Sequence, residues 1–379
     1  MTRIPLYAKF MRRAFPWIRI DPGMSSQGNL SMTSDKGTRP AKGTSNVVFW
    51  AATILLSIGL IIAGAETCAR WAGVKGFHVE QASYSGWAQS DDVLGWRNRP
   101  GVFPAHEGTH EPMTFLLDGS RATGAPPDGN ASVLLVGCSY TTGYGVRDEE
   151  TFAGRLQQRF PEIRIRNFGV SGYGTYQSFL LLRELLETRV LRPKVVIYGF
   201  LPTHAERNVL TYQNLEAYRN YGGERFALPR VEVRNDRLVT FPPFVVPNWP
   251  FEQSSAAVSL LHATALRSKL SDREQYEIPA TRILISQMKD LVERANARFL
   301  LATLHDDGPP GPEPSQRMRD DIRRSGIEEL NVTYRGAETR PEKLLVGGNG
   351  HPGPVIHQWW ADKIAARLAR ENFETSRGQ

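Results

Sequence analysis

From residue 131 onward, the apolar residues form two different patterns. Short continuous apolar runs end at glycine or a small polar residue, which is typical of buried parallel strands. Between these runs, apolar residues recur at helical spacing, as Phe152, Leu156 and Phe160 do. The pattern predicts strands over 132–136, 163–168, 194–199 and 298–304, and helices over 150–160, 176–190, 278–297 and 357–371.

This alternation of strands and helices with short connections predicts an α/β fold, a doubly wound parallel sheet flanked by helices. In such sheets the reactive groups lie beyond the carboxyl ends of the strands. The candidate functional residues are therefore those that follow a strand or lie in a loop at that edge: Ser139, Gly172, Thr203, His204 and His351.

Residues 47–65 show another pattern, nineteen consecutive positions without a charge. A helix of this length spans about 28 Å, close to the thickness of a bilayer's hydrocarbon core. Because a basic tail precedes the segment, we predict one transmembrane helix that binds the lipid bilayer, not a buried core helix. Ala63-Gly64-Ala65 also matches a signal-peptidase site, so cleavage after Ala65 is the alternative to an uncleaved anchor.

The net charge of +7 is unevenly distributed, because residues 1–46 hold eight Lys/Arg and two Asp. We predict that residues 1–46 form a basic, disordered cytoplasmic tail. The positive-inside rule then predicts a single-pass inner (plasma) membrane protein whose remaining chain is periplasmic or otherwise extracytoplasmic. That chain divides into a juxtamembrane segment, 66–128, and a folded domain, 129–375. Since it is nearly neutral, it lacks the charge that nucleic-acid binding requires.

One metal motif is predicted to be accidental. His106-Glu-Gly-Thr-His110 matches His-Glu-x-x-His, in which a helix brings two histidines to one zinc ion. Pro104, Gly108 and Pro112 disfavour a helix here. We expect no metal ion and no cofactor in this protein.

Ser139 lies in Gly137-Cys138-Ser139-Tyr140-Thr141, directly beyond the first strand. Free backbone N–H groups at that position are suited to stabilising an oxyanion. The segment is not Gly-x-Ser-x-Gly, so the sharp nucleophile turn of α/β-hydrolases is not predicted. By itself, such a serine also fits a turn or a helix cap.

Four blocks taken together resemble the SGNH (GDSL-type) hydrolase family, over roughly residues 131–370. They are Gly137–Thr141 with Gly143 and Gly145, Asn167-Phe-Gly169-Val-Ser-Gly172-Tyr-Gly174, Gly199-Phe-Leu-Pro-Thr203-His204, and Gly350-His351-Pro352. The resemblance implies an SGNH/flavodoxin-like sheet, Ser139 as nucleophile and His351 as base. It also implies an oxyanion hole formed by the N–H groups of Ser139 and Gly172, with Thr203 or His204 as a further donor.

The chain departs from the family pattern at three places. Cys138 replaces the usual Asp before the serine, and the third block lacks Gly-x-Asn-Asp. Asn349 stands where the family has the Asp that orients its histidine. An amide oxygen is able to orient an imidazole, although it stabilises imidazolium less than a carboxylate does. Asp306 or Asp307 is the alternative partner.

The resemblance implies a serine esterase or acyl hydrolase of the cell envelope that works through an acyl-enzyme. Its substrate partner is an ester, with an O-acetylated glycan or a lipid as candidates, and the sequence does not identify any protein partner. The departures leave a second interpretation, a catalytically inactive SGNH-fold module that binds glycan or acts as a scaffold in an envelope assembly.

Overall fold

A computed structural model describes residues 42–78, 86–105, 111–125, 132–189, 191–222, 227–304, 313–346 and 350–370. The chain divides into two compact units, Met1–Ile62 and Ala63–Gln379. The described part of the first unit is helical and belongs to helix α1, Lys42–Trp71. Of the disordered tail predicted for residues 1–46, residues 1–41 lie outside the described residues, and residues 42–46 belong to helix α1.

Helix α1 is long and apolar enough to cross a membrane. Its segment Asn46–Trp71 has a mean hydropathy of 2.4, and none of the most apolar stretch is buried in the protein. The helix starts before and ends after the predicted span of 47–65. At its C-terminal end, Glu66 and Arg70 form an i,i+4 ion pair of 2.6 Å, which supports the additional turn.

The second unit contains short strands and helices in alternation. The juxtamembrane strands are β1 (Ala88–Asp91), β2 (Gly95–Asn98), β3 (Gly101–Pro104) and β4 (Pro112–Phe115). Next come β5 (Val133–Gly137), α2 (Ser139–Thr142), α3 (Phe152–Arg159), β6 (Ile165–Gly169), α4 (Thr175–Arg183), β7 (Val195–Phe200), α5 (His204–Val209) and α6 (Tyr212–Gly222). The remainder comprises β8 (Leu228–Arg234), β9 (Arg237–Phe244), α7 (Ala256–Leu270), α8 (Glu277–Arg294), β10 (Arg298–Thr303), α9 (Glu313–Arg324), β11 (Glu329–Asn331), α10 (Pro341–Leu344) and α11 (Pro354–Ala369).

The central sheet has five strands in the order β11-β10-β7-β5-β6, and neighbouring strands run parallel. Numbered along the chain, this is the flavodoxin-like order 2-1-3-4-5. The predicted fold class is therefore confirmed. The order reverses direction between β5 and β7, and in such sheets ligands bind beyond the carboxyl ends of the strands at this switch point.

Helices cover both faces of the sheet. Alternate residues of β5 point to opposite faces, so Leu134 and Val136 belong to one apolar cluster, and Val133 and Leu135 to the other. The first cluster includes side chains of α4 and α8, and the second includes side chains of α3 and α11. All residues of β5 are buried, which explains the unbroken apolar run that predicted this strand.

The juxtamembrane segment contains regular structure that the sequence pattern does not predict. Strands β1 and β2 form one antiparallel hairpin, and β3 pairs with β4. Residues 106–110, the His-Glu-x-x-His motif, lie outside the described residues. The strands that flank them pair with Pro104 opposite Pro112.

Candidate active site

Ser139 begins α2, two residues beyond the end of β5 at Gly137. Its side chain therefore lies at the carboxyl edge of the sheet, beside the switch point between β5 and β7. The residue is 7% exposed. As the first residue of a helix, it carries a backbone N–H that has no acceptor within that helix.

His351 contacts this serine, with Nε2 3.0 Å from Ser139 Oγ. The loop that carries the histidine is fixed on both sides. Val346 N–H donates to the His351 carbonyl at 2.7 Å, and Gly353 N–H donates to the Leu344 carbonyl at 2.6 Å. Helix α11 starts directly afterwards. The imidazole therefore lies at hydrogen-bond distance from the hydroxyl although 212 positions separate the two residues.

Two tyrosine rings flank the His351 imidazole. The Tyr144 ring centroid is 4.9 Å from the imidazole centroid at an interplanar angle of 54°, and Tyr140 lies 5.6 Å away, edge-on. Tyr140 also stacks on Trp360 of α11, with centroids 5.8 Å apart. The rings restrict the orientation of the imidazole.

The end of β6 and the loop after it pack against the Ser139 turn. Asn167 Nδ2 donates to the Thr141 carbonyl at 2.7 Å, and Val170 N–H donates to the Gly137 carbonyl at 3.0 Å. Gly172 follows in this loop with φ = +86°, a backbone conformation that favours glycine. The structure thus brings the second sequence block to the first.

Thr203 and His204 occupy different environments at the start of α5. Thr203 is exposed. The His204 side chain is buried, its Nδ1 lies 2.7 Å from Tyr198 Oη, and its ring meets the Phe200 ring edge-on. Burial holds the pKa of His204 well below its usual value, so the imidazole is neutral. Among the described residues, the hydrogen-bond partners of this imidazole are Tyr198 and the Leu201 N–H, which belong to the sheet and the core.

Asn349, the predicted orienting residue, lies outside the described residues, as do Asp306 and Asp307. A second histidine near the site, His357, has a structural environment. Its Nδ1 accepts the Phe152 N–H at 3.2 Å, and burial, reinforced by nearby arginines, lowers the pKa of His357 to about 3.

Sequence reasoning missed a buried arginine that holds the turn following α2. Arg121 Nε donates to Asp148 at 2.6 Å, and its guanidinium also donates to the carbonyls of Gly143 at 2.9 Å and Val146 at 2.7 Å. Its side chain has no solvent exposure. The segment Leu117-Asp-Gly-Ser-Arg121 was visible in the sequence, but its acceptors are mostly backbone carbonyls, which leave no sequence pattern.

Comparison with known proteins gives distant structural similarity only. No protein-family model matches the chain, and neither does any curated protein. Similar solved structures include the psychrotrophic esterase EstA from Pseudoalteromonas sp., at 13% identity and TM-score 0.37 over 63% of this chain and 98% of that one. A member of the lipolytic G-D-S-L family from Veillonella parvula has 10% identity and TM-score 0.33 over 64% and 98%. An acetyl xylan esterase from Butyrivibrio proteoclasticus has 10% identity and TM-score 0.36 over 65% of each chain.

Proposed function

We propose that this protein is a serine esterase or acyl hydrolase of the SGNH type. The observation that carries the proposal is the 3.0 Å distance between Ser139 Oγ and His351 Nε2 at the switch point of the sheet. A serine hydroxyl becomes nucleophilic when a neutral imidazole at this distance accepts its proton. The partly exposed His351 leaves room for a substrate to approach from solvent.

The proposed reaction uses these residues as follows. Ser139 Oγ attacks the ester carbonyl carbon while His351 Nε2 takes the hydroxyl proton, and the N–H groups of Ser139 and Gly172 stabilise the resulting oxyanion. The tetrahedral species then collapses to an acyl-serine as His351 gives its proton to the leaving alkoxide. Water, deprotonated by the same imidazole, then attacks the acyl carbonyl carbon. The bond to Ser139 Oγ breaks, the imidazolium returns its proton to Oγ, and the carboxylic acid leaves.

The third member of the site is proposed to be Asn349, whose amide oxygen would orient the imidazole. In that role, replacement of this residue by Asp would introduce a carboxylate next to the imidazolium that forms in the transition state. We expect Asn349→Asp to raise kcat by about tenfold, which corresponds to roughly 1.4 kcal/mol. Asn349→Ala should lower kcat, whereas an unchanged rate would assign the orienting role to Asp306 or Asp307.

The substrate is proposed to be an ester of the cell envelope, either an O-acetylated glycan or a lipid. Support comes from helix α1, which is long and apolar enough to span a membrane, and from the basic tail that precedes it. In this arrangement the second unit lies outside the cytoplasm. A reporter that is active only outside the cytoplasm should therefore be active after Gln379 and inactive near Ser45, and the reverse pattern would contradict the arrangement.

The decisive experiment treats the detergent-solubilised full chain with a fluorophosphonate probe and with short-chain esters and acetylated glycans. Ser139→Ala should abolish labelling, and Ser139→Ala and His351→Ala should each reduce hydrolysis by several orders of magnitude. The double variant should be little worse than either, because such residues act as a unit. Ser178→Ala removes another buried serine, which donates to the Gly174 carbonyl, and serves as the control.

A second candidate function is a catalytically inactive module that binds envelope glycan or acts as a scaffold. Cys138 and Asn349, which replace two acidic residues of the family pattern, favour it. This function would replace the esterase as the proposed function if the wild-type chain showed neither probe labelling nor turnover. Unaltered hydrolysis by Ser139→Ala would instead contradict the serine mechanism itself.

A further inference from the structure

Gly172 lies between two aromatic residues that are distant from it in the sequence. Trp96 Nε1 donates to the Ser171 carbonyl at 3.0 Å, and Tyr218 Oη donates to the carbonyl of Gly172 itself. The Trp96 and Tyr218 rings pack together with centroids 5.6 Å apart, and Trp96 is 1% exposed. The peptide groups on both sides of Gly172 therefore have fixed carbonyl directions.

The direction of the Ser171 carbonyl also determines the direction of the Gly172 N–H. Both groups belong to one planar trans peptide, in which the C=O and the N–H point in opposite directions. Because the Trp96 indole holds the carbonyl, the Gly172 N–H points away from the indole. The direction in which this N–H is able to donate is therefore determined by the hydrogen bond from Trp96 to the Ser171 carbonyl.

The presence of glycine at position 172 does not by itself determine which of two orientations the Ser171–Gly172 peptide adopts. Tyr173 N–H donates to the Val170 carbonyl at 3.2 Å, and Gly172, at the third position of this turn, has the positive φ of a type II turn. Rotation of the central peptide would produce a type I turn, whose third residue has negative φ, and glycine adopts both at little cost. The rotation would remove the indole from the Ser171 carbonyl, and losing a buried hydrogen bond is unfavourable.

We infer that Trp96 is a positioning residue that holds the Gly172 N–H in the orientation required for the oxyanion hole. The inference rests on the proposed function, in which that N–H is a donor. It assigns part of the esterase site to the juxtamembrane segment, because Trp96 lies on β2. The hairpin β1–β2 is itself fixed to the end of β6 and to α4, since Asn98 Nδ2 donates to the Gly169 carbonyl at 2.9 Å and Gln177 Nε2 donates to the Leu94 carbonyl at 2.8 Å.

The test replaces Trp96 with Phe in the full chain and compares matched oxoester and thionoester substrates. Sulfur accepts hydrogen bonds weakly, so a thionoester gains less from oxyanion donors than its oxoester does. Loss of one oxyanion donor lowers kcat by about 10² to 10³-fold, and partial misorientation should cost about 10- to 100-fold. We expect Trp96→Phe to lower kcat for the oxoester by that factor, to leave KM nearly unchanged and to reduce the oxoester-to-thionoester rate ratio.

Gln177→Met is the matched control, because it removes a buried side-chain hydrogen bond between the same hairpin and α4 without touching the Ser171–Gly172 peptide. It should lower thermal stability to a similar extent while the substrate ratio stays at the wild-type value. If Trp96→Phe does not fold, 3-benzothienylalanine at position 96 keeps the ring shape and replaces the indole N–H with sulfur.

The outcomes separate the two proposals. An inactive wild-type chain would overturn the proposed function and, with it, the role of Trp96. If the wild-type chain is active and Ser139→Ala is inactive, a position-96 variant with unchanged kcat and substrate ratio overturns the positioning role alone. An equal decrease in kcat for the oxoester and the thionoester would also overturn it, since this outcome indicates general damage to the site and not a displaced oxyanion donor.

Discussion

The imidazole of His351 alternates between a neutral and a cationic form during the proposed reaction, and the tyrosine rings beside it affect the cationic form most. Tyr144 lies within the distance at which an aromatic ring stabilises a cation. At partly exposed sites this interaction contributes about 0.5–1 kcal/mol. Because imidazolium forms in the transition state, the ring is expected to assist the proton transfer.

We therefore expect Tyr144→Leu to lower kcat/KM by about 2- to 5-fold, the rate equivalent of that energy. Tyr144→Phe keeps the ring and should retain the wild-type kcat/KM. If Phe and Leu reduced the rate equally, the hydroxyl and not the ring would be responsible.

Among the secondary-structure elements, the start of α8 concentrates negative charge. Glu277 lies near Glu206 of α5 and Glu274, and it is half-buried. Burial, together with these two carboxylates, raises the pKa of Glu277 from 4.5 to about 7. The protonated form is thus favoured by folding, so this group's stabilising contribution is complete below about pH 4.5 and is lost as the pH rises through about 7.

Glu277→Gln should accordingly stabilise the protein at pH 8 and change little at pH 4.5. The pKa difference, reduced for the partial exposure of the side chain, corresponds to about 1–2 kcal/mol in the free energy of unfolding. Urea denaturation at both pH values measures the effect. Glu293→Gln, on the exposed end of the same helix, removes a surface ion pair with Lys289 and should show no such pH-dependent gain. An equal change in stability at both pH values in Glu277→Gln would contradict the raised pKa of this carboxyl group.

The central strands could be predicted from the sequence because both their faces are buried, which produces continuous apolar runs in β5, β7 and β10. The edge strand β11 could not, since its three residues Glu329–Asn331 include two polar side chains and none of the three is fully buried. The hairpin β8–β9 is also largely half-exposed and contains prolines, which obscure the strand pattern.

The residues of the candidate site also fall into two groups, those that the sequence predicts and those that it does not. Ser139, Gly172 and His351 were accessible to sequence reasoning because each follows a recognisable strand or block. Trp96 and Arg121 were not, because most of their hydrogen-bond acceptors are backbone carbonyls that lie far along the chain. The carbonyl that accepts from Trp96 lies 75 positions further, and two carbonyls that accept from Arg121 lie 22 and 25 positions further. A hydrogen bond to a carbonyl places no demand on residue type, so nothing in the sequence marks the partner.

At the scale of the whole molecule, the main question is whether the juxtamembrane segment and the predicted folded domain fold separately or together. The sequence pattern predicts two regions, 66–128 and 129–375, and both belong to the compact unit Ala63–Gln379. Segment 86–125 contributes buried side chains to that unit, namely Trp96, Met113, Phe115 and Arg121. We propose that the two regions fold as one cooperative domain.

A chain that begins at residue 129 should therefore fail to fold, while one that begins at Ala63 should unfold in a single cooperative transition. Burial of each large apolar side chain contributes about 1.5–3 kcal/mol, and the loss of Trp96, Met113 and Phe115 together is comparable with a whole domain's stability of about 5–15 kcal/mol. Removal of Arg121 also leaves Asp148 and the carbonyls of Gly143 and Val146 without their buried donor.

The measurement is thermal unfolding of the two fragments by near-ultraviolet circular dichroism, with soluble yield as a second readout. The longer fragment begins at Ala63 because the C-terminal end of helix α1 is bonded to the rest of the unit. The Glu66 carboxylate accepts hydrogen bonds from Ser255 Oγ and the Ala257 N–H, at 2.7 and 3.0 Å. A fragment 129–379 that retains a near-ultraviolet spectrum and a sharp transition would contradict the proposal. In that case the juxtamembrane hairpins would be an addition to a domain that is stable without them, and the loss of Trp96 would appear in that fragment's kcat and not in its folding.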